Sequence, residues 1–281
     1  MVKIGIIGGS GIYNPSMFDN VHPVNITTTF GMPSDPIMAG EYRGREVAFL
    51  SRHGNGHRFS PSKVNYRANI LALKMLGVTH IISASAVGSL KEDYRPLDIV
   101  IPDQIFDRTK ERPSTFFEDG IVAHIGFSEP FCPELSKILY EISSSNYRTH
   151  DKGTYLCMEG PQFSTKAESK VYRALGFDII GMTALPEAKL AREAEMCYAT
   201  IATVTDYDVW HEEQVSIEQI MENAVKNEKA VQDIIKNAIV RIPEVSKCEC
   251  RNALKGAIAT SSEAIPVETM RKLSELLSKY R

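Results

Sequence analysis

Four short segments carry residue types that can do chemistry together, and each follows a run of apolar residues. The first, Gly8-Gly9-Ser10-Gly11, presents backbone N–H groups and a hydroxyl at a tight turn, a composition suited to a single phosphate. A dinucleotide loop of the G-x-G-x-x-G kind starting at Gly9 needs glycine at position 14, where Asn14 stands. The second, Ser51-Arg52-His53-Gly54-Asn55-Gly56-His57, offers a guanidinium whose planar fork matches phosphate oxygens, with the His53 imidazole as a further donor. His57 and Arg58 read as solvated surface. The third, Ser83-Ala84-Ser85-Ala86-Val87-Gly88-Ser89, reads as a small-residue turn supplying hydroxyls and accessible amides, although close packing of a sheet on a helix asks for the same residues. The fourth, Thr205-Asp206-Tyr207-Asp208, sets two carboxylates on one side of the chain if it stays extended. Paired acids serve proton transfer or recognition of amino groups, and helix capping by either Asp is the plainer alternative. P-loop, zincin and esterase-elbow motifs do not occur.

Strands must position these segments. Val2 to Ile7, Val47 to Leu50, Val78 to Ile82, Asp98 to Ile101, Asp178 to Ile180 and Tyr198 to Val204 are near-continuous apolar runs, the pattern of strands covered on both faces. Ser62 to Leu76 carries Val64, Ala68, Leu71 and Met75 on one helical stripe, with Pro61 near its start and Gly77 at its stop. Thr165 to Leu175, Glu187 to Met196, Ser216 to Ala238 and Val267 to Leu277 also read as helices. Strand and helix alternate, so a three-layer α/β sandwich with a central sheet is expected, a single domain over 1–281 with a C-terminal helical extension from about 244. Asp107 to Asp119 reads as a long excursion, and Pro243 to Asn252 as a loop before the last helix.

Composition narrows the partners. The chain has 281 residues and a formal net charge of −3, so no basic excess is available to hold nucleic acid. No apolar stretch approaches the roughly 18 residues of a spanning helix, and the N-terminus lacks the apolar core of a signal peptide; a cytoplasmic protein without membrane partners is expected. The five cysteines are too scattered for a CxxC…CxxC zinc site, and no metal is expected. Cys132, Cys157 and Cys197 read as buried thiols, whereas Cys248 and Cys250 stand in the polar stretch SKCECRN, where thiols meet solvent.

Taken in order, Ile4 to Gly11, Arg52-His53-Gly54, Pro61 to Ile70, Glu159-Gly160-Pro161-Gln162-Phe163-Ser164-Thr165, Gly181-Met182-Thr183 and Thr205 to Asp208 resemble the 5′-methylthioadenosine phosphorylase branch of the purine nucleoside phosphorylases. The resemblance covers Ile4 to about Ala238. It implies a mixed central sheet flanked by helices, and attack of inorganic phosphate, a co-substrate, on C1′ of the nucleoside without a metal or organic cofactor. By similarity Ser10, Arg52, His53, Ser85, Ala86 and Thr183 form the phosphate site, and Phe163 packs on the purine. Met182 lies beneath the ribose, Asp206 donates a proton to N7 as general acid, and Asp208 accepts from the 6-amino group. Ile217 and Ile220 wall the 5′-methylthio pocket, closed by His124 of an adjacent subunit in a trimer or dimer of trimers. The chain departs from the family at Lys166, at Gly181, where Asn is common, and in the tail beyond Pro243. That tail resembles an extension of thermophilic archaeal members, which implies Cys132–Cys197 and Cys248–Cys250 disulfides. A non-catalytic purine-binding protein and a 6-oxopurine phosphorylase are the alternative readings.

Overall fold

The computed structural model describes residues 2–9, 12, 15–211, 216–244 and 248–280. Strand β1 (Ile4–Gly8) is buried along its whole length, with alternate residues on opposite faces: Ile4 and Ile6 enter one apolar cluster and Ile7 the other. It pairs in parallel with β4 (Arg45–Ser51) on one side and with β5 (His80–Ser89) on the other. Antiparallel strands β2 (Asp19–Val24) and β3 (Ile37–Tyr42) extend the sheet beyond β4. On its far side β5 runs parallel to β11 (Cys197–Asp206) and, at its last two residues, antiparallel to β10 (Ile179–Gly181). Strands β9 (Thr154–Met158) and β7 (Gln104–Arg108) continue beyond β10, while β6 (Ile99–Val100) and β8 (Thr149–His150) branch from β11. The sheet is mixed, as expected.

Helices cover both faces. α1 (Tyr66–Met75) and α4 (Ala184–Glu193) bury Leu71, Leu73, Ala188 and Leu190 in one cluster. α2 (Pro133–Ser143) and α5 (Ile217–Arg241) bury Leu135, Leu139, Ile234 and Ile235 in the other. α3 (Lys166–Ala174) starts at a capping box, in which the Thr165 side chain accepts from the Glu168 N–H and Glu168 reaches back to the Thr165 N–H. Beyond α5, Leu254 and the residues around α6 (Val267–Lys272) pack onto the α1 and α4 face. Among the described residues no helix is long and apolar enough to cross a membrane.

Several boundaries differ from the sequence reading, each for a local reason. The segment Ser83 to Ser89 is strand: the ten residues of β5 stay extended because β1 and β11 pair along it. The first α-helix begins at Tyr66, capped by the Asn65 side chain accepting from the Ala68 N–H, after a separate 3-10 turn at Pro61–Lys63. Helix α4 runs from Ala184 and stops at Glu193, since Glu195 adopts φ 56°. Helix α6 is shorter than expected and ends at Lys272. The excursion after Asp107 begins as strand and then buries Arg112, Phe116 and Phe117, so it is structural rather than loose.

Candidate active site

Strands β1, β4, β5 and β11 are parallel, and their C-terminal halves lead to one cavity of about 400 Å³, the position where open α/β sheets bind ligands. Arg52, His53, Ser85, Ala86, Phe163, Met182, Thr183, Asp206, Asp208 and Ile220 all line it. Ser10 and the Ile217 side chain lie outside the described residues. His124 stands exposed on the surface, tied by its N–H to the Ala257 carbonyl, and does not line the chain's own cavity.

At one end sit the cations and hydroxyls. Arg52 follows β4 directly, its N–H bonded to the Gly8 carbonyl, and it is 2% exposed. The fork expected to face phosphate grips Glu187 instead: Nε lies 2.7 Å from Oε2 and Nη2 2.9 Å from Oε1. Nη1 donates to the Ala84 carbonyl and Nη2 to Ser83 Oγ, so Arg52 presents only its remaining edge to the cavity. Burial opposes its charge, but the Glu187 carboxylate overrides that and raises its pKa. Glu187 is fully buried and also accepts from Ser83 Oγ and Tyr198 Oη, at 3.0 and 2.9 Å.

His53 behaves differently from expectation. Its Nδ1 lies 2.8 Å from the Phe59 carbonyl, which only accepts, so Nδ1 carries the proton. Burial, with the Arg52 charge beside it, pushes its pKa down to about 4, and the neutral ring offers Nε2 as an acceptor rather than a donor. The ring stacks on His57 at 4.2 Å, and exposed His57 is itself part of the cavity wall, which its glycine-rich surroundings did not indicate.

Ser85 Oγ, Thr183 Oγ1 and Tyr155 Oη form a hydroxyl cluster, with Ser85 3.1 Å from Thr183 and 3.0 Å from Tyr155. Burial pushes the Tyr155 phenol up to about 12, which keeps it a donor. This contact explains the departure at Gly181. A Cβ there would lie 1.9 Å from Tyr155 Oη, so the phenol occupies the space of any larger residue. Gly181→Ala is therefore expected to displace Tyr155 from Ser85 and to cost about 1–3 kcal/mol as overpacking. Thermal denaturation reads this directly, and an unchanged melting temperature would show that the ring moves aside freely.

The acids occupy the other end. β11 ends at Asp206 with a register shift after Val204, and Asp208 takes φ 50°, so the chain does not remain extended between them. Both carboxyls nevertheless line the cavity. Asp206 accepts from Thr205 Oγ1 at 2.7 Å and from the Asp208 N–H at 2.8 Å, while burial raises its pKa. Asp208 Oδ2 accepts from Ser169 Oγ at 2.6 Å, and burial raises its pKa as well. The Thr165 capping box thus has a use at the site, because it starts the helix whose first turn delivers Ser169. Neither acid caps α5, whose cap is Ser216, although Asp206 accepts the first N–H of the 3-10 turn Asp208–Trp210.

A third wall is apolar. Ile220, Met221, Ala224 and Val225 come from α5, which is held to the end of β11 by Asn223 and Asn227 amides donating to the Thr205 and Val204 carbonyls. Phe163 is 52% exposed at the cavity wall, and Met182 packs against Gly160. Arg112 fastens the walls together by donating to the carbonyls of Met182 and Leu185 through Nη1 and to those of Met158 and Glu159 through Nη2. Sequence reasoning missed Arg112, Tyr155 and Glu187. Of these only Glu187 had a signal, a carboxylate in the otherwise apolar face of ALPEAKLA.

With this geometry in place, residues 3–240 match the family model of the phosphorylase superfamily. The chain belongs to that superfamily. Its relatives include S-methyl-5'-thioadenosine phosphorylases of Koribacter versatilis, 52% identical with 99% of this chain and 96% of the relative covered, and of Chloroflexus aurantiacus, 53% identical with 99% and 98% covered. A methylthioadenosine phosphorylase from an antarctic soil metagenomic library superposes with a TM-score of 0.94 at 51% identity, covering 98% of this chain and 99% of that one. A variant of the Schistosoma mansoni adenosine/methylthioadenosine phosphorylase, in complex with methylthioadenosine, gives 0.87 at 36% identity, with 94% and 99% covered. The phosphorylase fold accounts for the layered α/β architecture with its mixed sheet.

Cys132, Cys157 and Cys197 are buried thiols, as expected, whereas the expected exposure of Cys248 and Cys250 and the two expected disulfides are not found. Cys250 is 4% exposed and Cys248 half-buried, because the turn after α5 folds back onto the α2 and α5 face. Neither expected disulfide is closed, and Cys197 Sγ stands 3.2 Å from Cys248 Sγ, beyond the roughly 2.05 Å of a bond. Far from being scattered, Cys132, Cys197, Cys248 and Cys250 are gathered into one cluster.

Proposed function

We propose that this phosphorylase cleaves 5′-methylthioadenosine with inorganic phosphate to give adenine and 5-methylthioribose 1-phosphate. The observation that carries the reading is that one cavity has hydroxyls and Arg52 at one end, the half-buried Asp206 and buried Asp208 carboxyls at the other, and an apolar α5 wall alongside. Phosphate held by Ser85, Thr183, the Ala86 backbone and the open edge of Arg52 faces C1′, and the family resemblance assigns Ser10 to the same site. Neutral His53 accepts a hydrogen bond from the P–OH of a monohydrogen phosphate through Nε2, the proton staying on the phosphate. Phe163 packs on the purine and Met182 on the ribose. As the glycosidic bond breaks, the electron pair moves onto the purine, and Asp206 donates its proton to N7. Asp208, held by Ser169, accepts from the 6-amino group.

The 5′-methylthio group rests on Ile220, and the family resemblance assigns Ile217 to the same pocket. His124 lies outside its own chain's cavity, which supports its use in the site of a neighbouring copy, within a homo-oligomer built as a trimer or dimer of trimers. The reaction so written uses phosphate as co-substrate and needs neither metal nor organic cofactor, and a cytoplasmic location belongs to the same reading.

The test is base release measured side by side for 5′-methylthioadenosine, adenosine and inosine, with and without phosphate. Strict phosphate dependence and preference for the 6-amino purines are expected; undiminished adenine release without phosphate would overturn the reading. Because burial raises the Asp208 pKa, its protonated fraction grows as pH falls, and a protonated carboxyl donates to a 6-oxo group. Inosine cleavage relative to adenosine should therefore rise on acidification, and Asp208→Asn should show the raised ratio at neutral pH. A pH-independent ratio in the wild type would remove Asp208 from purine recognition.

A further inference from the structure

The sulfurs of Cys132, Cys197, Cys248 and Cys250 all lie within 4.8 Å of one another. They arrive from three parts of the fold. Cys132 is the residue before α2, Cys197 opens β11, and Cys248 and Cys250 flank Glu249 at the 3-10 turn after α5. The Cys132 N–H donates to the Tyr198 carbonyl at 2.7 Å, fixing the first two segments against each other. Cys132, Cys197 and Cys250 are buried within the apolar cluster under α2 and α5. Cys197 and Asp206 stand at opposite ends of β11, about 30 Å apart at the rise of an extended chain, so this cluster is separate from the catalytic cavity.

Two uses compete for four such thiols. A pair of disulfides requires two close pairs and places no demand on the distance between pairs. One shared tetrahedral ion requires all six separations to be similar, about 3.8 Å for metal–sulfur bonds of about 2.3 Å. All six separations fall within 4.8 Å, with Cys197 and Cys248 at 3.2 Å, so no sulfur is out of reach of a common centre, a convergence that two independent disulfides do not require. Four soft donors, three of them shielded from water, also leave no position for a substrate or solvent ligand, which is the arrangement of a closed structural centre. We propose that Cys132, Cys197, Cys248 and Cys250 bind a zinc-type divalent cation as a tetrathiolate, clipping the chain after α5 onto α2 and β11. Each thiol loses its proton to solvent as the ion binds, so loading depends on reduced cysteines.

The experiment uses the full chain purified under reducing conditions without chelator. Elemental analysis should find about one zinc per chain, and exchange with Co²⁺ should give the intense visible bands of a tetrahedral cobalt thiolate. Cys248→Ser should lose stoichiometric binding, whereas Cys157→Ser, whose thiol is outside the cluster, should keep it. Cys248 is the most exposed of the four, so its substitution is the one best tolerated by folding, and the wild-type measurements stand without any variant. A reduced wild-type chain that takes up neither Zn²⁺ nor Co²⁺ stoichiometrically overturns the proposal. So does an intact mass, taken on freshly isolated chain whose free thiols are alkylated at lysis without added reductant, that lacks two hydrogens for each of two bridges, which would assign the cluster to disulfides.

Discussion

Asp206→Asn should lower kcat/KM for 5′-methylthioadenosine and adenosine alike by about 10²–10⁴-fold, the contribution of a positioned general acid. Asn keeps the size of the side chain and an oxygen to accept from Thr205 Oγ1 or the Asp208 N–H, yet it has no proton to give to N7. The pH profile separates this from a structural effect. Burial raises the Asp206 pKa in the folded protein above its ordinary 3.8, so the acid form survives to higher pH and activity should fall as pH rises through that raised value. The same shift disfavours the folded state progressively as pH rises from 3.8 to the raised value, because the unfolded chain releases a proton that the folded protein retains. Removing the ionisable group should thus leave the melting temperature at neutral pH equal or higher while turnover collapses, and the basic limb should vanish in the variant. Full turnover in Asp206→Asn would show that N7 takes its proton elsewhere.

The parts of this site that were legible in the sequence are those carried by strand ends. Arg52, His53, Asp206 and Asp208 each follow an apolar run that folds as a strand, and side chains just beyond buried strands have few places to go except the sheet's open edge. Local pattern fails where tertiary pairing decides. Ser83 to Ser89 has the composition of a turn, and only its pairing with β1 at Ser83, β11 along most of its length and β10 at Gly88 and Ser89 keeps it extended. Strand β9 and helix α2 went unread for different reasons. Thr154–Met158 is five residues with no clean alternation, whereas Pro133–Ser143 does carry Leu135, Leu139 and Ile142 at helical spacing behind a first-turn proline, a signal that was present. Arg112 and Tyr155 act through partners 46 to 73 and 70 residues away in the chain, and no spacing rule reaches that far. The cysteine cluster is the same case, since its members become neighbours only when α2, β11 and the turn after α5 meet.

Glu187 carries the second large effect. Glu187→Ala is expected to destabilise the protein by about 3–5 kcal/mol, the cost of stripping one partner from a buried ion pair. Arg52 is 2% exposed and, with Glu187 removed, would keep only neutral partners: the Ala84 and Ile7 carbonyls and Ser83 Oγ. The loss of a buried charge partner has a distinctive signature in a double-mutant cycle. Arg52→Met strands the Glu187 carboxylate among Ser83 and Tyr198 hydroxyls and should be comparably costly, but the double variant, with both charges gone, should cost less than the sum of the two. Denaturant unfolding of the four proteins measures this, and strictly additive losses would show that the pair is held by packing alone. The cycle bears on catalysis as well. Glu187 balances the charge of Arg52 and fixes its direction, so in the proposed reaction the Ser85 and Thr183 hydroxyls are expected to select the anion as much as charge does. Glu187→Gln, which keeps the volume but releases the fork, should accordingly raise the KM for phosphate more than the KM for the nucleoside.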